Sequence, residues 1–114
     1  MAIVIKNLGE GQIGPNADTV YDLPAAVPTG KAWIVKSVRL LNTDTVARTV
    51  NLYFFKSSGS AARQISPKDM VLGAGQLAID DQEITLGAGD KIQGKASSGN
   101  KIDYVISGVE RDVS

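Results

Sequence analysis

Residues Arg48–Lys56 read RTVNLYFFK, and apolar residues recur there at every second position. A β-strand turns successive side chains to opposite faces, so Val50, Leu52 and Phe54 would share one face. A helix would spread the same three side chains around its axis. The stretch therefore predicts a β-strand with one side turned to a core.

The same period of two recurs in both directions along the chain. Lys91–Ser97 and Lys101–Val109 alternate apolar or small residues with more polar ones, and Trp33–Leu41 is rich in β-branched residues. Shorter strand candidates are Ala2–Leu8, Thr19–Leu23, Gln76–Ile79 and Glu83–Leu86. Only Ser66–Asp69, with the sequence SPKD, has the pattern of a helix start, and it predicts at most one helical turn.

Glycine-rich corners separate these strands. The motif LGAG occurs twice, at Leu72–Gly75 and Leu86–Gly89, and each copy precedes a short strand candidate. Glycine adopts the positive φ that a tight turn requires, so these glycines are interpreted as corners. About eight short, evenly spaced strands with such corners predict an all-β fold, an antiparallel β-sandwich of jelly-roll type.

The first residues differ from the rest. Leu8–Asn16 reads LGEGQIGPN, so we expect residues 1–18 to form an N-terminal strand or arm and residues 19–114 to form the sandwich domain. Gly9, Gly11 and Gly14 match GxGxxG, the spacing of a dinucleotide-binding turn. Because Pro15 and a strand follow in place of a helix, a flexible connection is the favoured interpretation.

The composition excludes several function classes. Histidine and cysteine are absent, which removes the common catalytic triads, the usual zinc sites and disulfides. Twelve basic and twelve acidic residues cancel and are scattered, so no nucleic-acid partner is expected. No apolar run approaches the roughly 20 residues of a membrane span, and the N-terminus lacks a signal-peptide pattern. We therefore expect no membrane association and synthesis in the cytoplasm.

One acidic group raises the question of a metal site or an active site. Asp80, Asp81 and Glu83, with Asp90 nearby, lack the ligand order of a calcium loop. Paired carboxylates could serve glycoside hydrolysis, but no aromatic platform lies near them in the sequence. A hairpin tip with exposed charges is the favoured interpretation, and we expect no metal, no cofactor and no catalytic residues.

Two aromatic residues and the N-terminal strand are the candidates for contacts with other proteins. If Val50, Leu52 and Phe54 fill the core, then Tyr53 and Phe55 lie on the outer face, and such rings suggest a surface that is covered in use. An apolar strand near the N-terminus could add to the open sheet edge of a partner. Its candidate residues are Ile3, Val4 and Ile5.

Five segments of the chain form a recognisable set: PTGKAWIVKSVRLLN, NLYFF, ISPKDMVL, LGAGDKIQGKAS and YVISGVE. Together they resemble small β-sandwich virion structural proteins of tailed bacteriophages and prophages. The resemblance covers about Thr19 to Glu110 and involves structural motifs rather than catalytic ones. It implies a jelly-roll-like fold and no active-site residues, and it leaves the role of residues 1–18 open.

The resemblance implies a function in assembly. We expect a non-enzymatic virion protein, either a capsid decoration protein or a tail-associated one, made in the host cytoplasm. Its partners would be further copies of itself, in a trimer if it decorates a capsid, and other virion proteins. The alternative is a carbohydrate-binding module on a phage tail, with Trp33 stacking on a sugar ring.

Overall fold

The computed structural model describes residues 3–23 and 26–113. These residues form ten strands and one short 3-10 helix, Ser57–Gly59. The strands are β1 (Ile3–Gln12), β2 (Tyr21–Leu23), β3 (Lys31–Asn42), β4 (Arg48–Lys56), β5 (Ala61–Gln64), β6 (Met70–Leu72), β7 (Leu77–Asp80), β8 (Ile84–Leu86), β9 (Lys91–Ala96) and β10 (Ile102–Asp112).

The strands form two antiparallel sheets, as predicted. In the first sheet the order is β1-β10-β3, and both β7 and β8 pair with β3. In the second sheet the order is β2-β9-β4, and both β5 and β6 pair with β4. β7 and β8 lie end to end along β3, and β5 and β6 lie end to end along β4. Each of these two sets therefore fills a single strand position in its sheet. Counted in this way, the sandwich has the eight positions of a jelly roll.

The core lies between the sheets and follows the predicted alternation. On β4, Val50 and Leu52 are fully buried, and Phe54 packs against the core from its margin. Ile92 on the neighbouring strand β9 lies in the same layer, and Ile106 on β10 closes the core from the first sheet. The remaining buried apolar residues are Leu8, Ile13, Leu23, Val27, Trp33, Val35, Val38, Leu40, Leu72, Leu86, Ala96, Ile102 and Tyr104.

The N-terminal segment is part of the sandwich and not a separate arm. Residues 3–12 pair with β10, and Leu8 and Ile13 are buried in the core. The glycines of this segment make room for rings: a Cβ on Gly14 would lie 2.7 Å from the Tyr21 ring. They therefore permit close packing, which is why a glycine-rich segment does not form a flexible connection here. Residues 1 and 2 of the expected arm lie outside the described residues.

The two LGAG motifs form the same turn. In Gly73–Gln76 and Gly87–Asp90, the last residue's N–H donates to the first residue's carbonyl, at 2.9 and 3.0 Å. The third residue of each turn, Gly75 or Gly89, has a φ of +70° or +85°. This is the type II pattern, in which the third position needs glycine. The interpretation of these glycines as corners is confirmed.

Asp90 anchors the second turn from inside the protein. Its buried carboxylate accepts the N–H groups of Ser57 and Gly87, each at 3.0 Å, and lies 3.4 Å from the ammonium of Lys56. Burial alone would raise the pKa of Asp90, but the two N–H donors and the lysine outweigh it and lower that pKa. Both carboxylate oxygens of Asp90 have a partner, so its negative charge holds the turn in place.

The helical turn expected at Ser66–Asp69 does not form. Asp69 has a φ of +52°, which is incompatible with continuing a right-handed helix. The Ser66 hydroxyl accepts the N–H of Leu52 at 3.0 Å in place of capping a helix. The segment is a connection between β5 and β6, two strands that the sequence pattern did not predict.

Candidate assembly surface

One end of the outer face of the first sheet carries an apolar row. Residues that pair across a sheet project from the same face, and Ile5, Val109, Ile34 and Thr85 pair in succession. Ile5 is 87% exposed, and Val109 and Ile34 are half-buried. Three adjacent aliphatic side chains therefore lie on the outside of the sandwich.

The other end of the same face carries a second apolar group. Val105 and Ile79 flank Arg39, and Leu77 lies beside Leu41 in the next row. Val105, Leu77 and Ile79 are all exposed, Ile79 by 56%. A hollow of about 240 Å³ opens here. Its lining residues are Arg39, Leu41, Leu77, Asp103 and Val105.

A groove of about 430 Å³ lies on this face and includes Ile5 and Val109 of the first apolar row. It forms where the strands bulge, since the β1–β10 register shifts between Asn7 and Gly9, and the β10–β3 register shifts between Ser107 and Gly108. Its lining residues are Ile5, Lys6, Asn7, Lys36, Ser107, Gly108 and Val109.

We call the aliphatic set on the outside of the first sheet the assembly face. It consists of Ile3, Ile5, Ile34, Leu41, Leu77, Ile79, Val105 and Val109.

The outer face of the second sheet carries a cluster of paired polar side chains. The Asp22 carboxylate accepts from Gln93 and from Lys91, both at 3.0 Å. The hydrogen bond from Gln93, together with Lys91, lowers the pKa of Asp22 against the opposing effect of burial. The Lys91 ammonium also lies 4.9 Å from the centre of the Phe55 ring, a cation–π contact. Asp22, Lys91 and Gln93 thus form one paired cluster on this face.

Tyr53 and Phe55 lie on this second face and are half-buried. The structure does not bring them together with Ile3–Ile5, because those residues belong to the first sheet. Asn51, which projects from the same face of β4 as Tyr53, is buried. Its side chain donates to Asp69 at 3.1 Å and accepts from Gln64 at 2.6 Å, so the β5–β6 connection covers it.

Trp33, the candidate for sugar stacking, is 7% exposed and belongs to the core. Its indole N–H donates to Glu110 at 2.8 Å, and the Lys6 ammonium lies 3.3 Å from the same carboxylate. The indole hydrogen bond, followed by Lys6, lowers the pKa of Glu110. A ring held in this way presents no open face to a sugar, which argues against the stacking role.

The structure separates the members of the acidic group. Asp80, Asp81 and Glu83 lie at the connection of β7 and β8, whereas Asp90 is buried in the second LGAG turn. Over residues 3–23 and 26–113, no three acidic side chains are arranged to hold a metal ion. Within the same residues, no helix is long and apolar enough to span a membrane.

Sequence reasoning identified Ile3 and Ile5 and missed the other six residues of the assembly face. It did not single out Leu77, Ile79 or Val105, although all three occupy outward positions of their strands. Val105 was the one available signal of an exposed aliphatic residue. It occupies the same alternate positions of its strand as the polar residues Asp103 and Ser107. For Leu77 and Ile79, the four-residue strand was too short to show which face was buried.

Comparison with solved structures agrees with this fold. No protein-family model and no curated protein matches the chain. A protein of the disulfide-linked pili of Bacillus endospore appendages matches with a TM-score of 0.55 and 16% identity, over 98% of this chain and 89% of that one. The virus-like particle of the extra small virus of the prawn Macrobrachium rosenbergii matches with a TM-score of 0.53 and 14% identity, over 96% and 79%.

A third structure, the NLP core of Drosophila, matches with a TM-score of 0.52 and 16% identity. The match covers 98% of this chain and all of that one, and that structure concerns pentamer formation and histone binding. Identities this low establish a shared fold and nothing more. The protein is a β-sandwich of the kind found in all three.

Proposed function

We propose that this chain is a bacteriophage virion structural protein that acts through contacts between assembled copies and not through catalysis. The observation that carries the proposal is the assembly face, a set of eight aliphatic side chains on the outside of the first sheet, of which Ile5 and Ile79 are 87% and 56% exposed. The virion assignment is supported by the resemblance of residues 19–110 to phage virion proteins. The sandwich is also one that a pilus protein and a virus-like particle use.

The physical argument begins with the cost of exposing aliphatic groups. Removing apolar surface from water is favourable by about 25 cal/mol per Å². Soluble monomers rarely expose a large continuous apolar patch, and such a patch commonly marks a surface that another protein covers. Ile5 and Ile79 lie near opposite ends of the assembly face, so a partner covering both would span the sheet.

The charge balance favours contact between identical copies. Twelve basic and twelve acidic residues give the chain a formal net charge of zero. Net charge keeps protein molecules apart, so a neutral chain meets little long-range repulsion from its own copies. We propose that these copies act on the virion, either on the capsid surface or on the tail, together with other virion proteins.

The experiment is light scattering coupled to size exclusion, over a range of concentrations, on wild type, Ile79→Lys and Val71→Lys. Val71 is the matched control because it is an aliphatic strand residue, 62% exposed, that pairs with β4 in the second sheet. The expected result is an oligomer for wild type and Val71→Lys and a lower mass for Ile79→Lys, with circular dichroism confirming that all three fold.

Two results would overturn the proposal. The first is a wild type that stays monomeric at every concentration and also fails to bind phage heads and tails. The second is an oligomer whose mass is the same in Ile79→Lys as in wild type, which would place the contact elsewhere than the assembly face.

A further inference from the structure

The outer edge of β1 is the longest free sheet edge among the described residues. β1 has ten residues and pairs only with β10, so one row of its backbone N–H and C=O groups faces away from the sheet. The other edge strands have three or four residues each: β2, β5, β6, β7 and β8. Short edges accept a new strand poorly, so β1 is the edge best suited to strand addition.

The first half of this edge is apolar on both faces of the sheet. Ile3 and Ile5 project from the outer face and are 66% and 87% exposed, and Val4 between them is 49% exposed. An isolated lysine commonly protects a strand edge from pairing, but the ammonium of Lys6 lies 3.3 Å from Glu110 of the same chain. The bulge after Asn7 interrupts the edge, which limits regular pairing to the residues before it.

Resting on the proposed function, we propose that the occupant of this edge is β1 of a second copy, paired antiparallel about a two-fold axis at Val4. The reason is the sequence Ile3-Val4-Ile5, which reads the same in both directions. A two-fold contact requires a surface that is complementary to itself. In this register each Ile3 lies opposite the second copy's Ile5, and the two Val4 residues lie opposite each other.

This pairing has consequences for the whole assembly. The first sheets of two copies become one continuous sheet, because β1 is the last strand of each. The Ile5–Val109–Ile34 row of each copy then continues into Ile3 of the second copy, so the two assembly faces join across the axis. The smallest unit of assembly is a dimer, and larger oligomers contain even numbers of chains.

The test uses the absence of cysteine from the natural chain, which makes a single introduced thiol unambiguous. Opposite residues of antiparallel strands have Cα atoms about 4.5 or 5.5 Å apart, within the range of about 4.4–6.8 Å that a disulfide spans. Full-length Val4→Cys is oxidised with oxidised glutathione at low protein concentration. The matched control is Val71→Cys, a valine on a strand away from the axis that is 62% exposed against 49% for Val4.

Val4→Cys is expected to form a disulfide dimer at least tenfold faster than Val71→Cys. A mixture of Ile3→Cys and Ile5→Cys chains is expected to give mainly the mixed dimer, because those two positions lie opposite each other. Equal rates for Val4→Cys and Val71→Cys would overturn the pairing, as would a wild-type oligomer with an odd number of chains.

The outcomes separate this inference from the proposed function. If Val4→Cys fails to cross-link while Ile79→Lys still lowers the oligomer mass, the strand pairing is wrong and the proposed function stands. If Val4→Cys cross-links and Ile79→Lys has no effect, copies join through β1 and the role of the assembly face is wrong. If neither variant shows its effect, both proposals fall.

Discussion

At the scale of single residues, the two LGAG turns share a backbone geometry but differ in their surroundings. Both central glycines have positive φ, a conformation that an L residue adopts at a cost of about 1–2 kcal/mol. A Cβ on Gly75 would meet no atom within 4 Å, whereas one on Gly89 would lie 2.8 Å from the Ser57 hydroxyl oxygen. The chain therefore contains a matched pair of sites that separates backbone strain from steric contact.

Gly75→Ala is expected to lower the free energy of unfolding by about 1–2 kcal/mol, from the strain of positive φ alone. Gly89→Ala is expected to lower it further, because Ser57 must also move. Urea unfolding followed by tryptophan fluorescence measures both, and Gly59→Ala is the control since its Cβ would have free space and no positive φ. Equal losses in the two turns would show that the contact with Ser57 is relieved at no cost.

At the scale of elements, β1 has two halves with different roles. Leu8 is turned into the core at the bulge, whereas Ile5 is almost fully exposed. Deleting the first 16 residues would remove Leu8 and Ile13 from the core, so the deletion would test folding and assembly together. Single substitutions separate the two roles.

Leu8→Ala is expected to lower the free energy of unfolding by about 2–5 kcal/mol, because it leaves a cavity in a packed core. Ile5→Ala is expected to change it by no more than about 0.5 kcal/mol, as for other exposed positions. Both are measured by urea unfolding at a concentration where the variants are monomeric, so that association does not contribute. A large loss in Ile5→Ala under these conditions would mean that its side chain supports the monomer.

The elements whose bounds the sequence predicted best are those whose two faces differ in polarity. β4, β9 and β10 alternate clearly, and the structure places them within a few residues of the predicted bounds. β5, with the sequence AARQ, and β6, with MVL, lack that alternation because they are short and mostly exposed. They are strands because β4 offers them hydrogen-bonding partners, a tertiary cause that local sequence does not show.

The same reasoning explains which candidate residues the sequence could identify. Ile3, Val4 and Ile5 stand out as an apolar run next to a lysine, and they are exposed in the fold. Whether they share a surface with Tyr53 and Phe55 depends on which sheet each strand joins, and period-two patterns carry no such information. Pairing between distant strands decides it, and it places the two groups on opposite sheets.

At the scale of the whole molecule, the two outer faces of the sandwich differ in which side chains they expose. On the second face, the charges of Asp22 and Lys91 pair with each other, and Gln93 donates to Asp22. On the first face, aliphatic side chains are exposed to water, and the charged residues Arg39 and Asp103 lie beside them. Association through the first face would therefore rest mainly on apolar burial, and that kind of association has a distinctive response to salt.

Raising sodium chloride from 0.1 to 1 M shortens the screening length from about 10 to about 3 Å and weakens contacts between exposed charges. Sulfate strengthens apolar burial, because it is excluded from protein surface. We expect the association constant from sedimentation velocity to hold or rise with sodium chloride and to rise with ammonium sulfate. Ile79→Lys should lose most of the sulfate response. Dissociation of the wild type between 0.1 and 1 M sodium chloride would mean that charges such as Arg39 and Asp103 hold the copies together and that the aliphatic residues around them do not.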